Sequence, residues 1–261
     1  MRPMISDSVG IYYFSGTGNT LLVVKKIKEA FERNGLRVGL FRMEKTNPAN
    51  VDLSHTVGLG FPVAAQGTFP FVWDFVRSLP QADGTPIFMV DTLAMYSGGV
   101  VGPMRKLLGS KGYAPVGAKE IRMPGNLFPR KVDPEDVEDK VRKGLEKAER
   151  YANDLLEGRA RWGRVPILSD MMTIFSQRGY AWKLFRRMFR LQVDRSKCKQ
   201  CELCFELCPV GNVTMDEYPE FRDECQFCMR CISFCPTGAI YLPGKEYEVY
   251  RAVKAGELLR G

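Results

Sequence analysis

Histidine is nearly absent from this 261-residue chain, which has only His55. A lone imidazole with no cysteine, aspartate or serine dyad read beside it supports neither a histidine metal site nor an activated nucleophile, so His55 is read as a surface residue. Long apolar runs are missing too. No stretch reaches the ~18 apolar residues of a membrane span, and residues 1–10 carry Arg2, Pro3 and Asp7 where a secretory leader needs an apolar block, so a cytoplasmic chain is expected. Cysteine is absent from the first 197 positions, and all eight cysteines fall between 198 and 235. Thiols crowded in this way in a reducing compartment serve as metal ligands or catalysts rather than disulfides. With 45 % hydrophobic and 26 % charged residues, bulk disorder and fibrous repeats are excluded, and the length accommodates one large domain or two ordinary ones.

Charge is unevenly distributed. Residues 1–160 hold 22 basic and 18 acidic side chains, residues 161–195 hold 8 and 2, and residues 196–261 hold 8 and 10. Most of the net +8 thus sits in a short connector without a nucleic-acid-binding motif, and nucleic acid is not expected as a partner.

Three segments follow from this distribution: a front domain over residues 1–160, a basic amphipathic connector over 161–190 and a cysteine-rich domain over 191–261. The front alternates between two periodicities. Val9–Ser15, Leu36–Met43, Thr56–Val63, Pro86–Thr92 and Gly117–Met123 read as strands, and Asn19–Asn34, Phe69–Leu79, Val100–Ser110 and Asp133–Glu157 as helices. A run such as Ile87-Phe88-Met89-Val90 lacks polar alternation, so both faces of the sheet are expected to be covered, as in a doubly wound parallel α/β fold. In the connector, Met172, Phe175, Leu184, Phe185, Met188 and Phe189 are spaced as one helical stripe, with Arg186, Arg187 and Arg190 opposite. Its apolar side is expected to pack between the domains rather than on a membrane.

The cysteines form two copies of one pattern at an offset of 27 residues: Cys198, Cys201, Cys204, Cys208-Pro209 and Cys225, Cys228, Cys231, Cys235-Pro236. Gaps of two, two and three followed by Cys-Pro are the spacing of bacterial two-cluster ferredoxins, in which the fourth cysteine of each run serves the other cluster. Cys198, Cys201, Cys204 and Cys235 would hold one [4Fe–4S] cluster, and Cys225, Cys228, Cys231 and Cys208 the other. Structural zinc also uses paired cysteines, but it leaves the third cysteine and the Cys-Pro of each run without a role.

Ser15-Gly16-Thr17-Gly18-Asn19-Thr20 follows the first strand and opens the first helix. The third glycine of a dinucleotide fingerprint is replaced by Leu21, and no Gly-Lys-Ser/Thr of a Walker loop follows. What remains is a cradle of backbone N–H groups and uncharged side-chain donors at a helix N-terminus, suited to a terminal phosphate monoester and hence to a mononucleotide such as FMN.

This loop resembles the phosphate loop of flavodoxins and the tail resembles a bacterial-type ferredoxin. The chain as a whole is similar to the flavodoxin–ferredoxin fusion proteins of anaerobic bacteria and archaea, over about 155 residues in front and 66 behind. The resemblance implies a flavodoxin-like five-stranded sheet of order 2-1-3-4-5, with FMN beyond the carboxyl ends of strands 1, 3 and 4, and a C-terminal α+β domain with two [4Fe–4S] clusters. It also implies that the isoalloxazine meets the loop after strand 3 (Phe61, Pro62, Val63, Ala64, Ala65) and the loop after strand 4 (Thr92, Leu93, Ala94, Met95, Tyr96, Ser97, Gly98, Gly99), with Asn126 capping the site. The chain departs from the usual flavodoxin in two ways: its strand-3 loop has no Trp or Tyr, and its front domain is basic. Asp91, the one acid near these loops, is read as hydrogen-bonding the sheet end.

The expected function is electron transfer between two [4Fe–4S] clusters and FMN, coupling one- and two-electron steps. A flavin-dependent reductase of a small substrate and a redox-responsive partner-binding module are the alternatives. Redox donor or acceptor proteins are the expected partners, with a small substrate at the flavin and a homodimer left open. No catalytic side-chain constellation is visible in the sequence.

Overall fold

The computed structural model of the chain describes residues 5–65, 67–95, 99–163 and 180–260. The apolar runs of the front become five parallel strands, β1 (Ser8–Tyr13), β2 (Arg37–Arg42), β3 (Thr56–Pro62), β4 (Pro86–Leu93) and β5 (Ala114–Arg122). Their spatial order is β2-β1-β3-β4-β5, the flavodoxin-like doubly wound arrangement. Helices α1 (Asn19–Arg33) and α4 (Pro134–Leu156) cover one face, where Ile27 and Phe31 pack on Phe88 and Tyr151. Helices α2 (Pro70–Arg77) and α3 (Val101–Ser110) cover the other, where Trp73, Val76, Met104 and Leu108 meet Leu59 and Met89. Burial on both faces explains why the central strands carry no polar alternation, each large side chain contributing about 1.5–3 kcal/mol.

Strand β5 begins at Ala114, three residues before the apolar run that marks it in the sequence. Pro115 is accommodated because β5 lies at the sheet edge and the pairing shifts register between Ile87 and Phe88, which face Pro115 and Gly117. Two further expectations change. His55 is half-buried, its Nδ1 2.7 Å from Ser8 Oγ and its Nε2 3.2 Å from Asp52 Oδ2, and so joins the start of β1 to the turn before β3. Asp91 is fully buried in β4, and neither carboxylate oxygen has a hydrogen-bond partner among the described residues, so it does not bond the sheet end.

In the connector, helix α5 (Tyr180–Met188) splits the expected stripe. Trp182 is buried beside Phe69, with ring centroids 5.9 Å apart, whereas Leu184 and Met188 are both 57 % exposed. Helical geometry puts 184 and 188 on the side away from 182, so these two stripe positions do not share the interface that buries Trp182. Phe189 meets Phe128 and Phe227. Met172, Phe175 and the Phe185 side chain lie outside the described residues.

The cysteine-rich segment has little regular structure: helices α6 (Leu203–Glu206) and α7 (Arg230–Phe234), and antiparallel pairs β6 (Gln192–Val193) with β9 (Ile240–Tyr241) and β7 (Val213–Met215) with β8 (Pro219–Phe221). Among the described residues its own core cluster is small, built on Met229, Ile232 and Ile240. Leu207, Phe234, Val253 and Leu258 instead join the core built around α1. The terminal helix α8 (Ala255–Arg260) returns to the front, where Lys25 pairs with Glu257 at 3.0 Å and Arg42 donates to the Leu258 carbonyl at 2.7 Å. Among the described residues no helix is long and apolar enough to cross a membrane.

Burial, and secondarily the nearby Glu120 carboxylate, pushes the Asp91 carboxyl well above its ordinary range, with Lys147 opposing. The native state therefore binds more protons than the unfolded chain once pH exceeds about 4, and this group's contribution to stability falls as pH rises. Asp91→Asn removes that dependence. In chemical denaturation followed by circular dichroism, the stability of the variant relative to wild type is expected to increase from pH 5 to pH 8. A constant difference over that range would contradict a protonated Asp91.

Candidate functional site

The chain leaves β1 through Phe14, whose N–H donates to the Gly60 carbonyl at 2.8 Å, and turns through Ser15–Gly18 into α1. Gly18 caps the helix at φ +112° without a side-chain capping bond. A Cβ there would meet Val253 at 2.6 Å, so both its conformation and the covering tail require glycine. The Leu21 N–H is taken by Ser15 Oγ at 3.3 Å, but the backbone N–H groups of residues 16–20 have no protein partner among the described residues. Five orphan donors at a helix N-terminus form an anion cradle. Around them, Asn126 Nδ2 donates to Thr17 Oγ1 at 3.1 Å, and Thr20 Oγ1 lies 2.8 Å from Thr92 Oγ1. Asn19 is fixed from two sides, donating to the Pro124 carbonyl and accepting from the Tyr250 hydroxyl at 2.7 Å.

The loop opens on a cleft of about 400 Å³ at the carboxyl ends of β1, β3, β4 and β5. Ser15, Gly16, Thr17, Asn19, Thr20, Pro62, Val63, Ala64, Thr92, Leu93, Ala94 and Asn126 all line it, with Ala65 and Met95. Phe61 is not among the lining residues and is 0 % exposed within the α2–α3 core. Gly18 and Gly99 are buried away from the cleft, and Tyr96, Ser97 and Gly98 lie outside the described residues. Sequence reasoning missed Phe69, Pro124, Gly125, Leu127, Trp182, Gln226 and Phe227. The last three come from the connector and the cysteine-rich segment, and no local signal marks them. Among the described residues no charged side chain lines the cleft, and those present offer an anion backbone dipoles and amide or hydroxyl donors. The residues present fit a phosphorylated planar cofactor: donors at one end, apolar and aromatic walls at the other.

The eight thiols are brought together in two groups. Cys198, Cys201, Cys204 and Cys235 line one cavity, and Cys208, Cys225, Cys228 and Cys231 line another. Each group therefore takes three cysteines from one run and the fourth from the other. The repeat is matched in backbone conformation. Gln200 and Phe227, Glu202 and Met229, and Gly211 and Gly238 occupy equivalent positions, all at positive φ. Non-glycine residues adopt that conformation only where the surroundings over-determine it, as two-residue gaps between ligands do. Among the described residues no group of three or more Cys, His, Asp or Glu is set to hold a metal ion directly.

The groups differ in environment. Burial pushes the Cys228 thiol up to about 12 and raises Cys231 and Cys225, whereas Cys201 is exposed. Burial also lifts Cys204 to about 11. Cys235 alone is lowered, because hydrogen bonds from Thr237, Ile240 and Ala239 outweigh the burial that would raise it. Buried thiols become thiolates readily only beside a compensating cation, which iron supplies. The Asn212 N–H donates to Cys208 Sγ at 3.1 Å and the Ala239 N–H to Cys235 Sγ at 3.3 Å, equivalent bonds in the two repeats.

Residues 191–214 and 219–241 match the family model described as the 4Fe-4S binding domain. The C-terminal region is a ferredoxin-type 4Fe-4S domain. No curated protein matches the chain. Among solved structures, the chain is similar to the flavodoxin of Streptococcus pneumoniae TIGR4 (17 % identity, TM-score 0.45, covering 57 % of this chain and 98 % of that one). It is also similar to oxidised flavodoxin 2 of Bacillus cereus (21 %, 0.45, 57 % and 98 %) and to two-electron reduced flavodoxin of Megasphaera elsdenii (23 %, 0.40, 54 % and 98 %). The flavodoxin-like character of the front rests on its own strand order.

The exchange of the fourth cysteine gives a discriminating test. Cys198→Ser/Cys235→Ser alters one basket, whereas Cys198→Ser/Cys208→Ser alters both. Iron analysis after anaerobic purification is expected to leave about four iron atoms per chain in the first variant and substantially fewer in the second. Equal iron in the two would contradict the exchanged grouping.

Proposed function

We propose that this chain is an electron-transfer protein that binds FMN in the cleft and one [4Fe–4S] cluster in each thiol basket. The observation that carries this reading is a shared wall: Phe227 lines both the cleft and the inner basket, flanked by Cys225 on one side and Cys228 on the other. When bound, each cluster handles one electron at a time and FMN one or two, so their combination couples single-electron partners to two-electron chemistry.

The residues of the chain have distinct tasks in this reading. Backbone N–H groups of residues 16–20, with Ser15, Thr17, Thr20 and Asn126, hold the phosphate without a fixed positive charge. Trp182 and Phe227 supply the aromatic walls that the strand-3 loop lacks, and exclude water from the side of the cleft nearest the inner basket. Cys225, Cys228, Cys231 and Cys208 form the inner basket, and Cys198, Cys201, Cys204 and Cys235 the outer one. Exposed Cys201 makes the outer basket the point of exchange with a redox donor or acceptor protein in the cytoplasm. Residues 1–160 act as the flavin-binding domain, 161–190 as the connector and 191–261 as the two-cluster domain.

Anaerobic purification followed by iron, sulfide and flavin analysis tests this function. About eight iron atoms, about eight sulfides and one extractable FMN per chain are expected. A preparation with both clusters and no affinity for FMN would overturn it.

A further inference from the structure

Arg230 lies between Cys228 and Cys231 in the chain and lines the inner basket, and its side chain is buried at 2 % exposure with partners in the front domain. Its Nε donates to the Ser15 carbonyl at 2.9 Å. Its Nη1 donates to the Leu207 carbonyl at 3.2 Å and lies 2.8 Å from Glu44 Oε1, while the guanidinium carbon sits 4.5 Å over the Phe14 ring. Glu44, on the turn after β2, is itself almost completely buried. The backbone of the same loop reaches the phosphate cradle as well, because a Cβ on Gly16 would come within 2.6 Å of the Cys228 carbonyl oxygen.

The Ser15 carbonyl and the Gly16 N–H belong to one peptide unit. A charge-assisted hydrogen bond to that carbonyl fixes the plane of the peptide and polarises it, so the Gly16 N–H is held ready as a donor to phosphate. The planar guanidinium makes this bond while holding Leu207, Glu44 and Phe14, a combination a lysine ammonium cannot reproduce. We propose that Arg230 is a positioning residue that couples the inner basket to the phosphate loop: the affinity of the cleft for FMN depends on the cluster-bearing loop holding the Ser15–Gly16 peptide in place. Coupling of this kind is reciprocal, so a bound phosphate also steadies the loop that carries Cys228 and Cys231. The inference rests on the function proposed above.

The test is fluorescence titration of FMN into flavin-depleted, cluster-loaded protein under anaerobic conditions. Arg230→Gln is expected to raise the FMN Kd about ten- to hundredfold with iron and sulfide at wild-type levels. Arg230→Lys is expected to recover only part of that loss. Wild-type affinity in a fully loaded Arg230→Gln protein would overturn the coupling and leave the proposed function standing, whereas a wild-type protein that binds no FMN would overturn both. Should the variant fail to assemble its clusters, hydrogen–deuterium exchange on the wild type decides. Addition of FMN is expected to slow amide exchange in α7, which does not line the cleft, and unchanged exchange there overturns the coupling.

Discussion

The Arg230 guanidinium lies between Phe14, Ser15 and Glu44 of the front domain and the Leu207 carbonyl of the cysteine-rich segment, and the loop that bears it carries Cys228 and Cys231. Removing one member of a buried ion pair of this kind leaves the other uncompensated, at a cost of about 3–5 kcal/mol. Much depends on it because the cysteine-rich segment has so little core. With a core cluster built on Met229, Ile232 and Ile240 among the described residues, it draws stability from metal ligation and from docking on α1 through Leu207, Phe234, Val253 and Leu258. The same docking brings a basket of thiols against the mouth of the sheet.

Electrostatics divides the molecule along one direction. Among the described residues the cleft lining carries no charged side chain, and Arg230 acts on the phosphate loop from behind through the Ser15 carbonyl. Next comes the inner basket, whose buried thiols are held far from their ordinary ionisation. Beyond it lies the outer basket, where Cys201 reaches solvent. Burial thus decreases from the cleft outward, and solvent exposure together with N–H···S bonds is what tunes cluster potentials.

The parts legible in the sequence share a short range. Gaps of two residues between cysteines force the local turns whatever surrounds them, and the same positive-φ positions recur in both repeats. The hydroxyl-rich turn after the first strand is likewise local, as is the apolar continuity of β3 and β4 that reports burial on both faces. The readings that changed depended on what lies opposite. The resemblance to flavodoxins implied a ring contact for Phe61, but its side chain is fully buried in the α2–α3 core. Asp91 looked like a sheet-end hydrogen bonder, but among the described residues no donor reaches it. In the connector, Leu184 and Met188 of the expected stripe stay exposed, and the packed structure buries Trp182, which lies outside that stripe.

The sequence by itself determined a doubly wound front, an uncharged phosphate loop and two thiol sets with exchanged fourth members, because strand periodicity, helix starts and ligand spacing are encoded within a few residues of one another. Only the tertiary structure decided that Trp182 and Phe227 wall the cleft, that the terminal helix returns to α1, and that Arg230 reaches Ser15 across 215 positions of chain. Such contacts follow from how separately encoded surfaces dock, and docking depends on the shape and charge of both partners at once, which no local pattern in either one carries.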